Sequence, residues 1–334
     1  MNTSTKIPVY VLNGFLGSGK TTVLINILSY CKEKELKAGV ILNELGETNV
    51  EGHLLGSEQI VELLNGCICC TIQEDLKSTL DDFIRNQKES PVDLLIIEGT
   101  GVANPLELIE ALTDQIYVNS FELQSIIGMV DASQYLDYQS IFTSSKEVRK
   151  LLQDQIQYST LLLVNKTDLL STSKLEKVEK QIRKSITNDI PIIHTAFAKV
   201  DREELFKKRF FMIDQGHKHC DHNHEHGESC DHHHHHNHAM IKAIKLDQLP
   251  VLDRISLEKW YKNLPKEIIR SKGIVQLEGT SGFFDFQFAS RRLTLTQLAE
   301  SPKVDPSIVI IGADFDEEKI MDSFSKTFLQ VTRI

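Results

Sequence analysis

The sequence lacks any excess of positive charge, since 37 Lys and Arg stand against 47 Asp and Glu and the formal net charge is −10 at pH 7. Such a protein has no general electrostatic hold on DNA, RNA or anionic lipid, so nucleic acid is excluded as an expected partner. No apolar run approaches the roughly 18 residues of a membrane span, and residues 1–12 do not resemble a secretion signal. These absences predict a cytoplasmic protein that does not enter a membrane.

Cysteine is scarce, with six in the chain, and three of the six fall within residues 67–70. The spaced pairs of a disulfide framework are missing, and the clustering favours metal ligation in a reducing compartment. There is also no internal repeat. A chain of 334 residues is long enough for two sizeable cores, so more than one domain is expected.

The most informative segment is GFLGSGKT at residues 14–21, which follows the apolar run 9–12 and precedes a helical pattern. A strand, a glycine-rich loop and a helix in this order bind phosphate through backbone amides at the helix N-terminus. We expect Lys20 to reach the outer phosphates and the Thr21 hydroxyl to hold Mg²⁺. The predicted nucleotide-binding residues of this segment are Gly14, Gly17, Ser18, Gly19, Lys20, Thr21 and Thr22.

A second motif indicates which base is bound. Residues 160–164 are typical of a buried parallel strand, and they lead into Asn165, Lys166, Thr167 and Asp168. The Asp168 carboxylate can accept from two neighbouring donors of guanine, while the Lys166 stem lies over the purine. Because adenine has no such donor pair, the tetrad predicts selection of GTP over ATP.

A third strand, 93–97, ends in Glu98, which two glycines follow closely. A carboxylate at this strand end can hold the water shell of Mg²⁺ or orient the attacking water. We therefore interpret Glu98 as a catalytic residue, together with Lys20 and Thr21.

A thiol-rich loop follows the apolar run 60–64. Thiolates select zinc, copper(I) and similar metals, so Cys67, Cys69 and Cys70 are predicted metal ligands. In an extended chain Cys70 faces away from the other two, so a shared metal requires the loop to bend. Buried apolar cysteines and a redox switch remain the alternatives.

A histidine-rich segment, 217–238, holds eleven of the thirteen histidines. Residues of this kind cannot form a packed core, and imidazoles with two added thiols suit Zn²⁺, Ni²⁺ or Co²⁺. We interpret the segment as a low-specificity metal store, with a merely polar linker as the alternative. Its predicted ligands are His217, His219, Cys220, His222, His224, His226, Cys230, His232, His233, His234, His235, His236 and His238.

These motifs together resemble the CobW-like GTPases, which are relatives of the nickel-insertion GTPases that serve urease and hydrogenase. The resemblance rests on residues 14–21, NELGE at 43–47, GCICC at 66–70, EGTG at 98–101 and NKTD at 165–168. It extends to the histidine-rich connection and to Arg270–Gly273 before a predicted strand. The resemblance implies a GTPase whose C-x-C-C metal site modulates hydrolysis, with Glu47 or water as a further ligand.

The alternation of apolar strands and helices predicts an α/β fold, a doubly wound and mainly parallel sheet with ligands at the strand carboxyl ends. We expect a P-loop GTPase domain at 1–205, a histidine-rich metal-binding linker at 206–239 and a smaller α+β domain at 240–334. Strands are predicted near 8–13, 38–43, 60–64, 92–98, 124–130, 160–164 and 191–194. Helices are predicted near 20–34, 73–88, 105–113, 146–157 and 173–187.

The smaller domain is predicted to end in a helix near 316–328. Phe284, Phe286 and Phe288 alternate with polar residues, so they are expected to form the buried face of a strand. Trp260 and Tyr261 are expected to lie in the core or in a domain contact rather than to take part in chemistry.

The preferred hypothesis is a GTP-hydrolysing metallochaperone for a metal-requiring client protein. Its switch loops would be 43–50, 66–72 and 98–104, so that nucleotide state and thiolate geometry influence each other. Zinc is the favoured metal, with Co²⁺, Ni²⁺ and Fe²⁺ as alternatives. A metal buffer or sensor with incidental hydrolysis is the competing hypothesis, and a monomer or a nucleotide- or metal-dependent dimer is expected.

Overall fold

A computed structural model describes residues 6–42, 60–64, 72–87, 89–186, 189–214, 241–289, 291–302 and 304–329. The chain divides into two compact units between Phe211 and Met212. Each unit is built around a sheet of its own.

Among the described residues of the first unit, seven strands form one sheet, and their pairings are all parallel. In chain order they are β1 (Ile7–Gly14), β2 (Ala38–Leu42), β3 (Ile60–Leu64), β4 (Leu94–Glu98), β5 (Phe121–Asp131), β6 (Leu161–Asn165) and β7 (Ile192–His194). The helices are α1 (Lys20–Glu33), α2 (Ile72–Asn86), α3 (Pro105–Leu112), α4 (Ala132–Gln139), α5 (Lys146–Gln157), α6 (Thr172–Ser185) and α7 (Arg202–Phe206).

The strand order of this sheet is β3-β2-β4-β1-β5-β6-β7, so the connections leave β1 first to one side and later to the other. Both faces are covered, because alternate residues of β6 enter different apolar clusters. Leu161 and Leu163 pack with α1, whereas Leu162 and Val164 pack with α4 and α6. A doubly wound sheet of this kind binds ligands beyond its carboxyl edge, at the point where the order reverses. The predicted fold class is confirmed.

Four helices in this unit, α3, α4, α5 and the short α7, begin at side-chain caps that their sequences supply, with Asp201 as the cap of α7. Asn104 accepts a hydrogen bond from the Leu106 amide ahead of α3, and Asp131 accepts from the Ser133 amide ahead of α4. Ser145 does the same for the Val148 amide ahead of α5. Such caps satisfy amides that have no partner within the helix, typically for about 1 kcal/mol each.

In the second unit, the described residues form a sheet of six strands in the order β12-β11-β10-β13-β9-β8. Its elements are β8 (Phe211–Asp214), β9 (Ile241–Leu246), α8 (Arg254–Asn263), β10 (Ile268–Val275), β11 (Phe284–Ala289), β12 (Arg292–Gln297), β13 (Ser307–Ala313) and α9 (Glu317–Phe324). Phe286 and Phe288 are buried whereas Gln287 is exposed, which confirms the predicted inward face of β11. Trp260 and Tyr261 of α8 lie in the same core, as expected.

Several details differ from the sequence-based expectations. The patterns did not predict α4, α7 or β12, and β8 lies within the residues interpreted as a linker. Arg270–Gly273 was expected to precede a strand, but these residues lie inside β10. The closing helix, expected over 316–328, ends as α9 at Phe324 and continues as a wider π-type turn, Ser325–Leu329.

Candidate nucleotide site

The phosphate loop connects β1 to α1 and is shaped by glycines that cannot be replaced. Gly14 has φ +148°, and a Cβ there would lie 2.4 Å from the Met129 carbonyl oxygen. Gly19 has φ +106°, and its Cβ would lie 2.5 Å from Nδ2 of Asn165. Since side chains rarely adopt such backbone conformations and contacts this short do not occur, both positions require glycine. The loop is therefore held closely against β5 and β6.

The N-terminus of α1 has the features of an anion-binding site. Its N-cap residue is Gly19, which has no side chain to cap the helix, and its first turn contains no acidic residue. The amides of that turn are therefore left to a ligand at the positive end of the helix dipole. The Ser18 side chain is fully buried, and its hydroxyl has no hydrogen-bond partner among the described residues.

Lys20 folds back over the loop. Its Nζ donates to the carbonyl oxygens of Gly14 at 3.0 Å and Phe15 at 3.4 Å, and only 6% of the residue is exposed. The ammonium group thus lies at the centre of the phosphate loop. A phosphate oxygen can replace these carbonyls as the acceptor without moving the lysine stem far.

Glu98 and Thr21 come together at the carboxyl end of β4. The Thr21 hydroxyl donates to Oε1 of Glu98 at 3.4 Å, and the pairing of Leu12 with Glu98 places this carboxylate beside the end of β1. The structure therefore brings together two of the residues predicted to serve Mg²⁺. Thr22, the next residue of α1, is exposed.

The loop after Glu98 is braced by a buried side chain that the sequence analysis missed. Nε2 of Gln155, in α5, donates to the carbonyl oxygens of Gly101 at 3.1 Å and Ala103 at 3.3 Å. The main-chain carbonyl oxygen of Gln155 accepts from Nδ2 of Asn13, the residue before Gly14 in β1. One glutamine therefore connects α5, β1 and the loop that follows β4.

Asn165, at the end of β6, connects two loops through hydrogen bonds of its side chain. It is 3% exposed; its Nδ2 donates to the Ser18 carbonyl oxygen at 2.9 Å, and its Oδ1 accepts from the Ala198 amide at 3.0 Å. The side chain was predicted to serve guanine. Its described contacts are instead with the phosphate loop and with the segment that follows β7.

Lys166 has a partner that the sequence analysis did not identify. Its Nζ lies 2.7 Å from Oδ2 of Asp131, whose side chain is 9% exposed. Oδ1 of Asp131 meanwhile accepts from the amide and the hydroxyl of Ser133. Asp168 follows in a short 3₁₀ turn and is exposed, so its carboxylate is accessible to a ligand. The signal for Asp131 was available, because it is an acidic residue that directly follows the apolar strand 124–130.

The comparison with known proteins is consistent with this geometry. A family model described as the CobW/HypB/UreG nucleotide-binding domain matches residues 8–194, more than half of the chain. The chain belongs to the CobW/HypB/UreG family. A second model, described as the cobalamin synthesis protein cobW C-terminal domain, matches residues 241–328. The predicted family and its P-loop GTPase domain are confirmed.

Relatives in the CobW/HypB/UreG family carry the names of zinc proteins. The zinc chaperone YjiA of Escherichia coli K12 is 28% identical over 328 residues, which cover 96% of this chain and 98% of the relative. The zinc-regulated GTPase metalloprotein activator 1 of Dictyostelium discoideum is 32% identical over 247 residues, which cover 64% of this chain. The match spans about half of that relative, 51%.

A solved structure of the same family aligns over nearly the whole chain. It is the Zn(II)-bound YjiA GTPase from E. coli, with a TM-score of 0.47, 22% identity, and coverage of 97% of this chain and 99% of that one.

The transition-metal ligands predicted for this CobW/HypB/UreG member lie outside the described residues. They are Glu47, Cys67, Cys69, Cys70 and the histidine-rich segment 217–238. Within the part of the chain that the structure describes, no three His, Cys, Asp or Glu side chains gather as a metal cluster. None of the described helices has the length and apolar character of a membrane span.

Proposed function

We propose that this protein hydrolyses GTP and uses the nucleotide cycle to deliver a transition metal, zinc in the first instance, to a client protein. The observation that carries the proposal is the meeting of three motifs at one edge of one parallel sheet. The phosphate loop, Glu98 and the Asn165–Asp168 tetrad follow β1, β4 and β6 at their carboxyl ends. Ligands bind at this edge in sheets of this class.

The residues that would perform hydrolysis act by position and charge. The amides of the first turn of α1 bind phosphate oxygens, and Lys20 turns its ammonium from the loop carbonyls to the outer phosphates. Glu98 accepts a hydrogen bond from the attacking water or from the water shell of the metal ion. Phosphoryl transfer of this kind depends on such positioning and on charge stabilisation.

The side chains of Thr21 and Glu98 fit Mg²⁺. Both offer hard oxygen donors, and their oxygens lie 3.4 Å apart beside the phosphate loop. When bound, Mg²⁺ neutralises charge on the β- and γ-phosphates. Thr21 would hold it through its hydroxyl, and Glu98 would do so through water.

Nucleotide competition tests this part of the proposal. We expect GTP and GDP to bind much more tightly than ATP, and a Lys20→Ala change to abolish hydrolysis. An Asp168→Ala variant is the matched test of base choice, because Asp168 is exposed and its loss leaves the phosphate loop intact. Equal binding of ATP and GTP by the unaltered protein would contradict the proposal.

The metal half of the proposal rests on the thiol-rich loop and on the names of the relatives, which include zinc chaperones. Cys67, Cys69 and Cys70 would bind zinc, with Glu47 or water completing the shell. Histidine-rich residues 217–238 would act as a store. Nucleotide state and metal affinity would then influence each other by linkage, because the thiol-rich residues follow β3 in the sequence, and β3 runs parallel to the strands that end at the nucleotide site.

Zinc titration tests the coupling. The protein is titrated without nucleotide, with GDP and with a non-hydrolysable GTP analogue, and its zinc affinity should differ among the three states. Changing Cys67, Cys69 and Cys70 to Ser should remove that difference, whereas deleting residues 217–238 should lower zinc stoichiometry and preserve it. Should the deletion instead abolish the response of hydrolysis to zinc, the buffer or sensor hypothesis would replace the metallochaperone.

Co²⁺, Ni²⁺ and Fe²⁺ remain the alternative metals, and the same titration ranks them against Zn²⁺. The client is proposed to be a metal-requiring protein, and the location in the cytoplasm stays a prediction. The oligomeric state also stays a prediction: it is either a monomer or a dimer that depends on nucleotide or metal.

A further inference from the structure

Phe197 stands out because its ring is exposed and its backbone is unfavourable at the same time. The residue is 70% exposed and has φ +55°, and the following Ala198 has φ +54°. A left-handed conformation is costly for a bulky residue, and an exposed ring gains little from burial. Single exposed apolar residues are ordinary. An exposed ring on a strained backbone beside the nucleotide site is not ordinary, and it indicates a functional role.

The segment that carries Phe197 is joined to the Asn165–Asp168 tetrad by three hydrogen bonds. The amide and the hydroxyl of Thr167 both donate to the Thr195 carbonyl oxygen, at 3.2 and 3.0 Å. The Ala198 amide donates to Oδ1 of Asn165 at 3.0 Å. Since these bonds lie on both sides of Phe197, its position relative to the tetrad is fixed.

The segment is also fastened to the core. Ala198 is 2% exposed, and its carbonyl oxygen accepts from Nδ2 of Asn26 in α1 at 3.1 Å. The Thr195 hydroxyl donates to the Lys199 carbonyl oxygen at 2.7 Å, which closes the turn. Neighbours on both sides are therefore held, and the ring of Phe197 projects from a rigid support.

We propose that the ring of Phe197 stacks on the guanine base and forms one wall of its pocket, opposite the stem of Lys166. A purine needs two flat walls and an edge that reads its donors. Lys166 supplies one wall, held by its ion pair with Asp131, and Asp168 reads the edge. Binding of the nucleotide buries the exposed ring, and the stacking offsets the local strain. The inference deepens the proposed function and depends on it.

The first test places a fluorescent reporter at the site. The chain has one tryptophan, Trp260, which belongs to the core of the second unit, so a Phe197→Trp variant adds one exposed indole. We expect GDP to quench the added fluorescence and inorganic tripolyphosphate to leave it unchanged. The matched control is Phe142→Trp, because Phe142 is 92% exposed in the loop between α4 and α5. GDP should not quench that variant.

The second test measures affinity. Replacing the aromatic ring by Phe197→Leu should weaken GDP binding roughly 5- to 150-fold, the range for one base on one ring. Phe197→Tyr keeps the ring and should bind GDP about as well as the unaltered protein. Tripolyphosphate affinity should be the same in all of them, because the phosphate loop is untouched.

Two results would overturn the inference. One is GDP binding by Phe197→Leu at unaltered strength, and the other is an equal loss of GDP and tripolyphosphate affinity, which would mean that the loop is distorted. The nucleotide preference of the unaltered protein distinguishes failure of this inference from failure of the proposed function. If it prefers guanine nucleotides while the variants show no base-specific loss, only the stacking role of Phe197 is wrong.

Discussion

Replacing Asn165 by alanine should lower the free energy of unfolding of the protein even when no nucleotide is bound. The side chain is 3% exposed and bonds the Ser18 carbonyl oxygen at 2.9 Å and the Ala198 amide at 3.0 Å. Alanine removes both bonds and leaves the two backbone groups without these partners. Asn165 is thus expected to stabilise the empty site, which differs from its role as a base contact.

The size of the effect follows from those two bonds. A buried group that loses its partner costs about 1–3 kcal/mol, and entry of water into the gap lowers the cost. We expect a loss of about 2–4 kcal/mol in the free energy of unfolding of the first unit. For a domain of 150–250 residues, this corresponds to a fall of roughly 4–16 °C in Tm.

The assay is thermal unfolding of the nucleotide-free protein, followed by GDP titration. Asp168→Ala is the control, since that carboxylate is exposed in the same tetrad and should leave Tm unchanged while GDP affinity falls. Asn165→Ala should lower both quantities. If Tm equals that of the unaltered protein while GDP affinity is lost, the hydrogen bonds of Asn165 do not stabilise the empty site. Asn165 would then act as a base contact only.

Three further changes have definite expected outcomes. Asp131→Asn removes the ion pair with Lys166 at 2.7 Å, so calorimetry should find GDP affinity reduced several-fold, and an unchanged affinity would show that Lys166 needs no partner. Burial, with nearby Asp93, raises the pKa of the Cys31 thiol from 9.0 to about 11. The folded state therefore holds this proton more tightly, and the free energy of unfolding should fall as pH rises from about 9 to about 11, less steeply in Cys31→Ala by urea denaturation. Gly39→Ala would place a Cβ 2.6 Å from the Phe83 ring, so we expect about 1–3 kcal/mol of destabilisation, which an unaltered urea midpoint would contradict.

Much of the nucleotide site could be predicted from the sequence because each motif follows a continuous apolar run. Parallel strands buried on both faces are readable as such runs, and their carboxyl ends meet at one edge. Gly14, Glu98 and Asn165 were placed at strand ends on this basis, and the structure has them there. Helix α5 was predicted with its observed bounds for a different reason, because its sequence has a clear amphipathic pattern.

The missed residues are those whose role depends on contacts between distant segments. Asp131 pairs with Lys166 across 35 positions, and Ala198 meets Asn165 across 33. A pattern within one segment cannot reveal such a contact. The short strand β12 was missed because it alternates at an edge with only partial burial, so its apolar signal is weak.

The hydrogen bonds of Gln155 explain how hydrolysis could be sensed beyond the phosphate loop. Its side-chain Nε2 donates to the carbonyl oxygens of Gly101 and Ala103, and its main-chain carbonyl oxygen accepts from Asn13 next to the phosphate loop. Each such bond contributes about 1 kcal/mol net, so we expect contacts of the γ-phosphate with the loop after β4 to compete with these bonds. Movement of that loop must then either break the bonds or shift α5. We therefore expect the carboxyl edge of the sheet to have two discrete arrangements, one for each nucleotide state, as a nucleotide switch requires.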